Sequence, residues 1–146
     1  MCIRDRFRAL ASQAPIDTAR LAAIGYCFGG AAVLDLARSG ADIAAVVAFH
    51  GNLSTDDPAL AHAIRAHVLA MNGADDTTTS PQFDGFLAEM RGSPAPWQFL
   101  ALGHAVHCFT EKEATAPTGL CRYDARADAW SSMMMRAWLD ASFPAQ

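Results

Sequence analysis

No two cysteines in this sequence are spaced as C-x-x-C. The four present, Cys2, Cys27, Cys108 and Cys121, do not combine with the five histidines in a zinc-ligand pattern. A metal centre is therefore not expected. No apolar run reaches the roughly 18 residues that a membrane-spanning helix needs. Lysine occurs once against ten arginines, and the net charge is −4. No basic cluster is long enough to suggest nucleic acid or an anionic membrane as partner. Arg4, Arg6 and Arg8 interrupt the N-terminal segment, which lacks the apolar core of a signal peptide. The expected setting is the cytoplasm, which argues against disulfides and leaves the thiols to be judged on reactivity. What is abundant is apolar: hydrophobic residues make up 52% of the 146 and charged residues 18%, the composition of one globular domain.

Short apolar runs punctuate the chain. Residues 20–26, 43–49, 66–71 and 97–102 read as strands, and 20–26 reads as buried on both faces. Residues 28–39 read as a helix ending at Gly40, 58–65 as one short helical turn, and 81–91 as a helix with Pro81 near its first turn. A final helix covers 123–141, with Trp130, Met133, Met134, Ala137 and Trp138 along one face. Strands that are continuously apolar and alternate with helices predict an α/β fold, a parallel sheet with helices on both faces. The loop from Gly103 to about Arg122 is long enough to suggest function. Ligands in such sheets bind at the carboxyl ends of the strands. Cys27, His50, Asp76 and His107 all follow a strand.

Gly25-Tyr26-Cys27-Phe28-Gly29 has the form G-x-S-x-G with cysteine in the serine position. Such a nucleophile stands on a sharp strand-to-helix turn, and the glycines two before and two after it remove side chains expected to clash there. The helix beginning at Phe28 aims the positive end of its dipole at the thiol and favours the thiolate. The Phe28 N–H is placed to hold an oxyanion. A buried cysteine beside a packing glycine is the plainer alternative. A nucleophile on this fold is followed in sequence by an acid and then a histidine. Asp76 and His107 satisfy that order. Asp75 competes with Asp76, which could also be a turn or capping residue. His104 competes with His107, which could also be a hydrogen-bonded loop residue.

GYCFGG at 25–30, FHG at 49–51, NGADD at 72–76, AVHCFT at 105–110 and YDARADAWSSMMMRAWL at 123–139 together resemble the dienelactone hydrolase family of α/β-hydrolases. The resemblance covers nearly all of residues 20–141. It implies a Cys–His–Asp triad, with Cys27 as nucleophile, His107 as base and Asp76 orienting the histidine. It favours Asp76 over Asp75, because Asp75, Asp76 and Pro81 match the family's DDxxxxP. It implies ester or lactone hydrolysis on a small-molecule substrate, with no cofactor, nucleic acid or membrane involved. Tyr26 and His50 join Phe28 as candidate substrate-binding positions, and His50 equally reads as a loop histidine without a role.

Two departures from the family stand out. Members that take anionic lactones carry arginine shortly after the catalytic histidine, where this chain has Thr110 and Glu111; dienelactone itself is not the expected substrate. Members also place several strands before the elbow, where this chain has 26 residues. The expectation is therefore a single partial domain over 1–146, the C-terminal part of an α/β-hydrolase fold. Residues 1–7 are read as foreign to it and 8–14 as the tail of a preceding helix. The absent part would hold the second oxyanion donor and an acidic partner of the resting cysteine. The alternatives are a thioesterase or peptidase-type acyl hydrolase, and a catalytically impaired fragment. A thiol redox protein is a weaker alternative, since Cys27 has no resolving cysteine nearby in sequence; Cys108 is the one thiol expected close to it.

Overall fold

Alternation along the two central strands divides the protein into two layers. The computed structural model describes residues 20–143 together with 9, 12 and 17. Four strands, β1 (Ala22–Tyr26), β2 (Ala45–Phe49), β3 (His67–Gly73) and β4 (Trp97–Leu102), form one sheet in the order β1-β2-β3-β4. Every neighbouring pair is parallel. Among the described residues, three α-helices connect or follow them: α1 (Phe28–Arg38), α2 (Phe83–Met90) and α3 (Ala125–Ser142). Single 3₁₀ segments span Pro58–Ala63 and Ser80–Gln82. The α/β class and all four strands are as the sequence predicts, and each strand boundary lies within two residues of the expected one.

Successive residues of a strand point to opposite faces. Val46, Ala48, Val68 and Ala70 meet α1 and α2 through Val33, Leu34, Leu36, Ala37, Phe86 and Met90. Val47, Phe49, Leu69 and Met71 meet α3 through Ala127, Met134, Met135, Trp138 and Leu139. All five residues of β2 are buried, as a parallel strand covered on both sides should be.

β1 corrects the expectation for 20–26. Among the described residues it is an edge strand in which Ile24 and Tyr26 are 43% and 44% exposed, because α3 covers their face of the sheet chiefly over β2 and β3 and leaves the β1 edge open. The face of α3 is also corrected. Ala127, Ser131, Met134 and Trp138 recur at helical spacing toward the sheet, which turns Trp130 and Met133 to solvent at 57% and 53% exposure. Asp124 caps α3 by accepting the backbone N–H groups of Arg126 and Ala127. The expectations for 1–7 and 8–14 lie outside the described residues, apart from Ala9 and Ser12.

A buried ion pair ties the helical layer together. The Arg38 guanidinium, at the end of α1, donates from Nε and Nη2 to both Glu89 carboxylate oxygens at 2.8 and 2.9 Å, and from Nη2 to the Leu53 carbonyl at 2.7 Å. Both side chains are almost wholly removed from solvent. Removing one partner of such a pair strands the other charge, which costs about 3–5 kcal/mol, whereas replacing both by apolar groups of similar volume is often neutral. Arg38 also pairs with Asp35 at 3.0 Å, so it is the loss of Arg38 that strands a charge: Arg38→Met should lower unfolding free energy by about 3 kcal/mol or more, and the double variant Arg38→Met/Glu89→Leu by much less. Urea unfolding of the three proteins checks this; equal losses in the single and double variants would contradict it.

Candidate active site

Each strand delivers one polar side chain to the carboxyl edge of the sheet. Cys27 follows β1 directly, at φ 50° and ψ −115°. This conformation is sparsely populated for a residue with a side chain and persists only where its surroundings impose it. Its N–H donates to the Phe49 carbonyl at 3.0 Å, and α1 begins at the next residue. Gly25 makes the turn possible: a Cβ there would lie 2.0 Å from the Gly29 carbonyl oxygen. Gly29 contradicts the reason assigned to it from sequence, since a Cβ on it would meet nothing within 4 Å. Its backbone, not its missing side chain, is what crowds the elbow. The thiol is exposed, and so is the Phe28 side chain, while the Phe28 N–H opens the helix.

His107 spans the site. Its Nε2 lies 3.4 Å from Cys27 Sγ and its Nδ1 lies 2.8 Å from Asp76 Oδ2. Asp76 has no solvent exposure. Burial alone would raise its pKa, but hydrogen bonds from the Thr78 hydroxyl, His107, the Thr78 N–H and the Thr79 hydroxyl outweigh burial and hold it below the ordinary carboxylate value. The carboxylate is thus fixed in its charged form. Sequence reasoning missed Thr78 and Thr79; the run DDTTT offered the signal, because hydroxyls just after an aspartate are placed to bond its carboxylate. It also missed Gly73. The β3 and β4 loops close on each other there, through Asp75 N–H to Ala105 O at 3.0 Å, and a Cβ on Gly73 would sit 2.4 Å from that carbonyl.

The rivals are brought to one another instead. His104 Nδ1 and Asp75 Oδ2 approach only to 3.8 Å, with both side chains mostly exposed. Tyr26 stacks on Phe49 and opens on a cleft of about 410 Å³ shared with Thr110, Glu111, Lys112, Asp128 and Ser132. Partial burial, then the carboxylates of Asp128 and Glu111, raise its hydroxyl pKa. His50 does not line an open pocket. It is fully buried behind the site, its ring 5.0 Å from those of His107 and Phe109 and its Nε2 2.8 Å from Thr110 Oγ1. Cys108 and Cys121 correct a further expectation: they are joined as a disulfide, where free thiols were expected. The topology folds the 103–122 loop back on itself and brings the two sulfurs together, which spacing alone does not reveal. Among the described residues, no three His, Cys, Asp or Glu side chains converge as a metal site, and no helix is long and apolar enough to cross a membrane.

This strand–elbow–helix turn and its three side chains coincide with a family match. The sequence profile of the dienelactone hydrolase family covers residues 2–143. The chain belongs to the dienelactone hydrolase family. Among solved structures, a dienelactone hydrolase-like promiscuous phosphotriesterase from metagenomic libraries is 39% identical, with a TM-score of 0.85 over 94% of this chain and 58% of that one. The structure of m3DLH is 38% identical, with a TM-score of 0.88 over 97% of this chain and 60% of that one. An uncharacterized protein of Caenorhabditis elegans is 33% identical over 86% of this chain and 84% of its own length. This dienelactone hydrolase family chain thus spans 58–60% of the two solved relatives.

The environment of His50 yields a pH dependence. Burial first, and the neighbouring His107 second, lower its pKa from 6.5 to about 4, so the folded protein keeps this ring neutral. As pH falls below 6.5 the unfolded chain takes up a proton that the folded chain refuses. Stability from this residue is full above 6.5, declines down to about 4 and is lost below it, a fall of about 3 kcal/mol. Urea unfolding between pH 7 and pH 4 should show that slope in the parent protein and a flatter one in His50→Asn. Parallel slopes would contradict the assignment.

Proposed function

We propose that this protein hydrolyses carboxylic esters or lactones by way of a covalent acyl-enzyme on Cys27. The observation that carries the reading is the continuous contact Asp76–His107–Cys27, at 2.8 and 3.4 Å, ending in an exposed thiol. Asp76 accepts the Nδ1–H of His107 and leaves Nε2 free to take the thiol proton. The sulfur attacks the carbonyl carbon, and the oxyanion forms against the Phe28 N–H at the start of α1. As the tetrahedral centre collapses, the C–O bond breaks and His107 Nε2–H protonates the departing alkoxide. Water then attacks the thioester, giving its proton to His107; the acid leaves, and the thiolate is restored.

The cleft beside Tyr26 supports a substrate preference. Glu111 and Asp128 line it with one cation, Lys112, and carboxylates so placed repel a carboxylate-bearing lactone. Neutral esters are therefore the preferred substrate class. A second reading, phosphotriester hydrolysis by the same thiol, is supported by the relative of that description at 39% identity.

Hydrolysis of p-nitrophenyl acetate tests the assignment, with a p-nitrophenyl phosphotriester as a second arm. Cys27→Ala should lower kcat/KM by about a thousandfold or more, and His107→Ala should fall within about tenfold of it, because such residues act as a unit. His104→Ala should cost less than about threefold, being outside the contact chain. A greater loss in His104→Ala than in His107→Ala would reverse the choice of base.

A further inference from the structure

The disulfide is the one covalent constraint at this site that the hydrolytic steps leave unused. Cys108 is the residue after His107 and is held at φ 60°, a left-handed conformation that costs a residue with a side chain about 1 kcal/mol or more unless imposed. Its partner Cys121 lies opposite His107 in an isolated parallel bridge. The next residue, Arg122, donates its N–H to the His107 carbonyl at 3.0 Å. Both ends of the closed loop therefore grip the backbone of the histidine whose ring Asp76 holds from the other side. Between those ends, residues 111–120 are exposed except for Ala114. The remaining holds on the segment are non-covalent: Phe109 is buried against β2 and β3, and Thr110 bonds His50.

Building on the assignment of His107 as base, we propose that the Cys108–Cys121 pair is a redox-modification site that sets the placement of His107 against the Cys27 thiol. A dithiol reductant is the reacting partner. One of its thiolates attacks the sulfur of Cys121, an exposed residue, breaking the S–S bond and forming a mixed disulfide. Cys108 departs as thiolate and is protonated. The second thiol of the reductant then displaces Cys121, which is protonated in turn. Two electrons and two protons pass to the protein, and the reductant leaves as a cyclic disulfide. With the strap open, Cys121 and Arg122 are free to leave His107, the left-handed turn at Cys108 relaxes, and Nε2 moves away from the sulfur.

The test reads Cys27 directly and needs no turnover. The full chain, oxidised or reduced with dithiothreitol and then desalted without air, is treated with iodoacetamide, and the alkylation rate of Cys27 is followed by peptide mapping. In oxidised protein, His107→Ala should slow Cys27 alkylation by about tenfold, since the histidine is the group that takes the thiol proton. Reduction, verified as a gain of two thiols, should slow it by about fivefold or more, and reoxidation should restore it. Reduction of His107→Ala should add nothing, and Cys108→Ser/Cys121→Ser should stay at the slow rate in both conditions. A rate unchanged within about twofold after the two thiols appear would overturn the strap and leave the base assignment standing. A faster rate on reduction, the mark of unfolding, would overturn it as well. An oxidised His107→Ala protein as fast as the parent would instead overturn the base assignment itself, and this proposal with it.

Discussion

The backbone of Cys27 is the constraint on which the site depends. A residue with a side chain is held at φ 50°, between the last residue of an edge strand and the first of a helix. That conformation is unfavourable by about 1–3 kcal/mol and must be imposed from outside. Two neighbours impose it. The Phe49 carbonyl of β2 receives the Cys27 N–H, and α1 is anchored on the sheet through Val33, Leu34 and Ala37. The Gly29 carbonyl occupies the space that a side chain on residue 25 would need. The result is a sulfur raised above the sheet edge, accessible to solvent and to a histidine from a loop 80 residues later.

The parallel sheet converts that local geometry into a site. With strands in sequence order, the loops after β1, β3 and β4 all open at one edge, so Cys27, Asp76 and His107 converge without any long excursion of chain. Asp76 is buried and fully bonded, His107 is mostly covered, and Cys27 is exposed. Charge is thus fixed deepest and chemistry is left outermost. His50, neutral and buried behind His107, fills the space between β2 and the His107 ring without carrying charge at ordinary pH.

Much of this was legible in the sequence, for identifiable reasons. Strands buried on both faces read as unbroken apolar runs, which is why β2 and β3 were found to within two residues. The elbow was legible because Gly25 and Cys27 obey a spacing set by backbone sterics. Asp76 over Asp75 and His107 over His104 were preferred through the family's motifs, because nearby residues in a turn differ in direction rather than in kind; the fold adds the contacts, with Asp76 at 2.8 Å from His107 and Asp75 facing His104. The exposed side of β1 was missed because an apolar run does not reveal whether its strand is an edge. The α3 face was misjudged because its exposed Trp130 and Met133 are as apolar as the residues it buries. The disulfide was missed because its pairing follows from how the 103–122 loop closes, and because the expected cytoplasmic setting argued against it; a cytoplasmic location and this bond pull in opposite directions.

The central claim is that Cys27 carries the acyl group in an ester-hydrolysing reaction. The most direct measurement is acid quenching of the protein during its reaction with an activated acetyl ester, followed by intact mass and peptide mapping. The account predicts one acetyl group, held as a thioester on the peptide containing Cys27, released by hydroxylamine and absent from Cys27→Ala. An acetyl group found on another residue, with Cys27 unmodified while product forms, would contradict it.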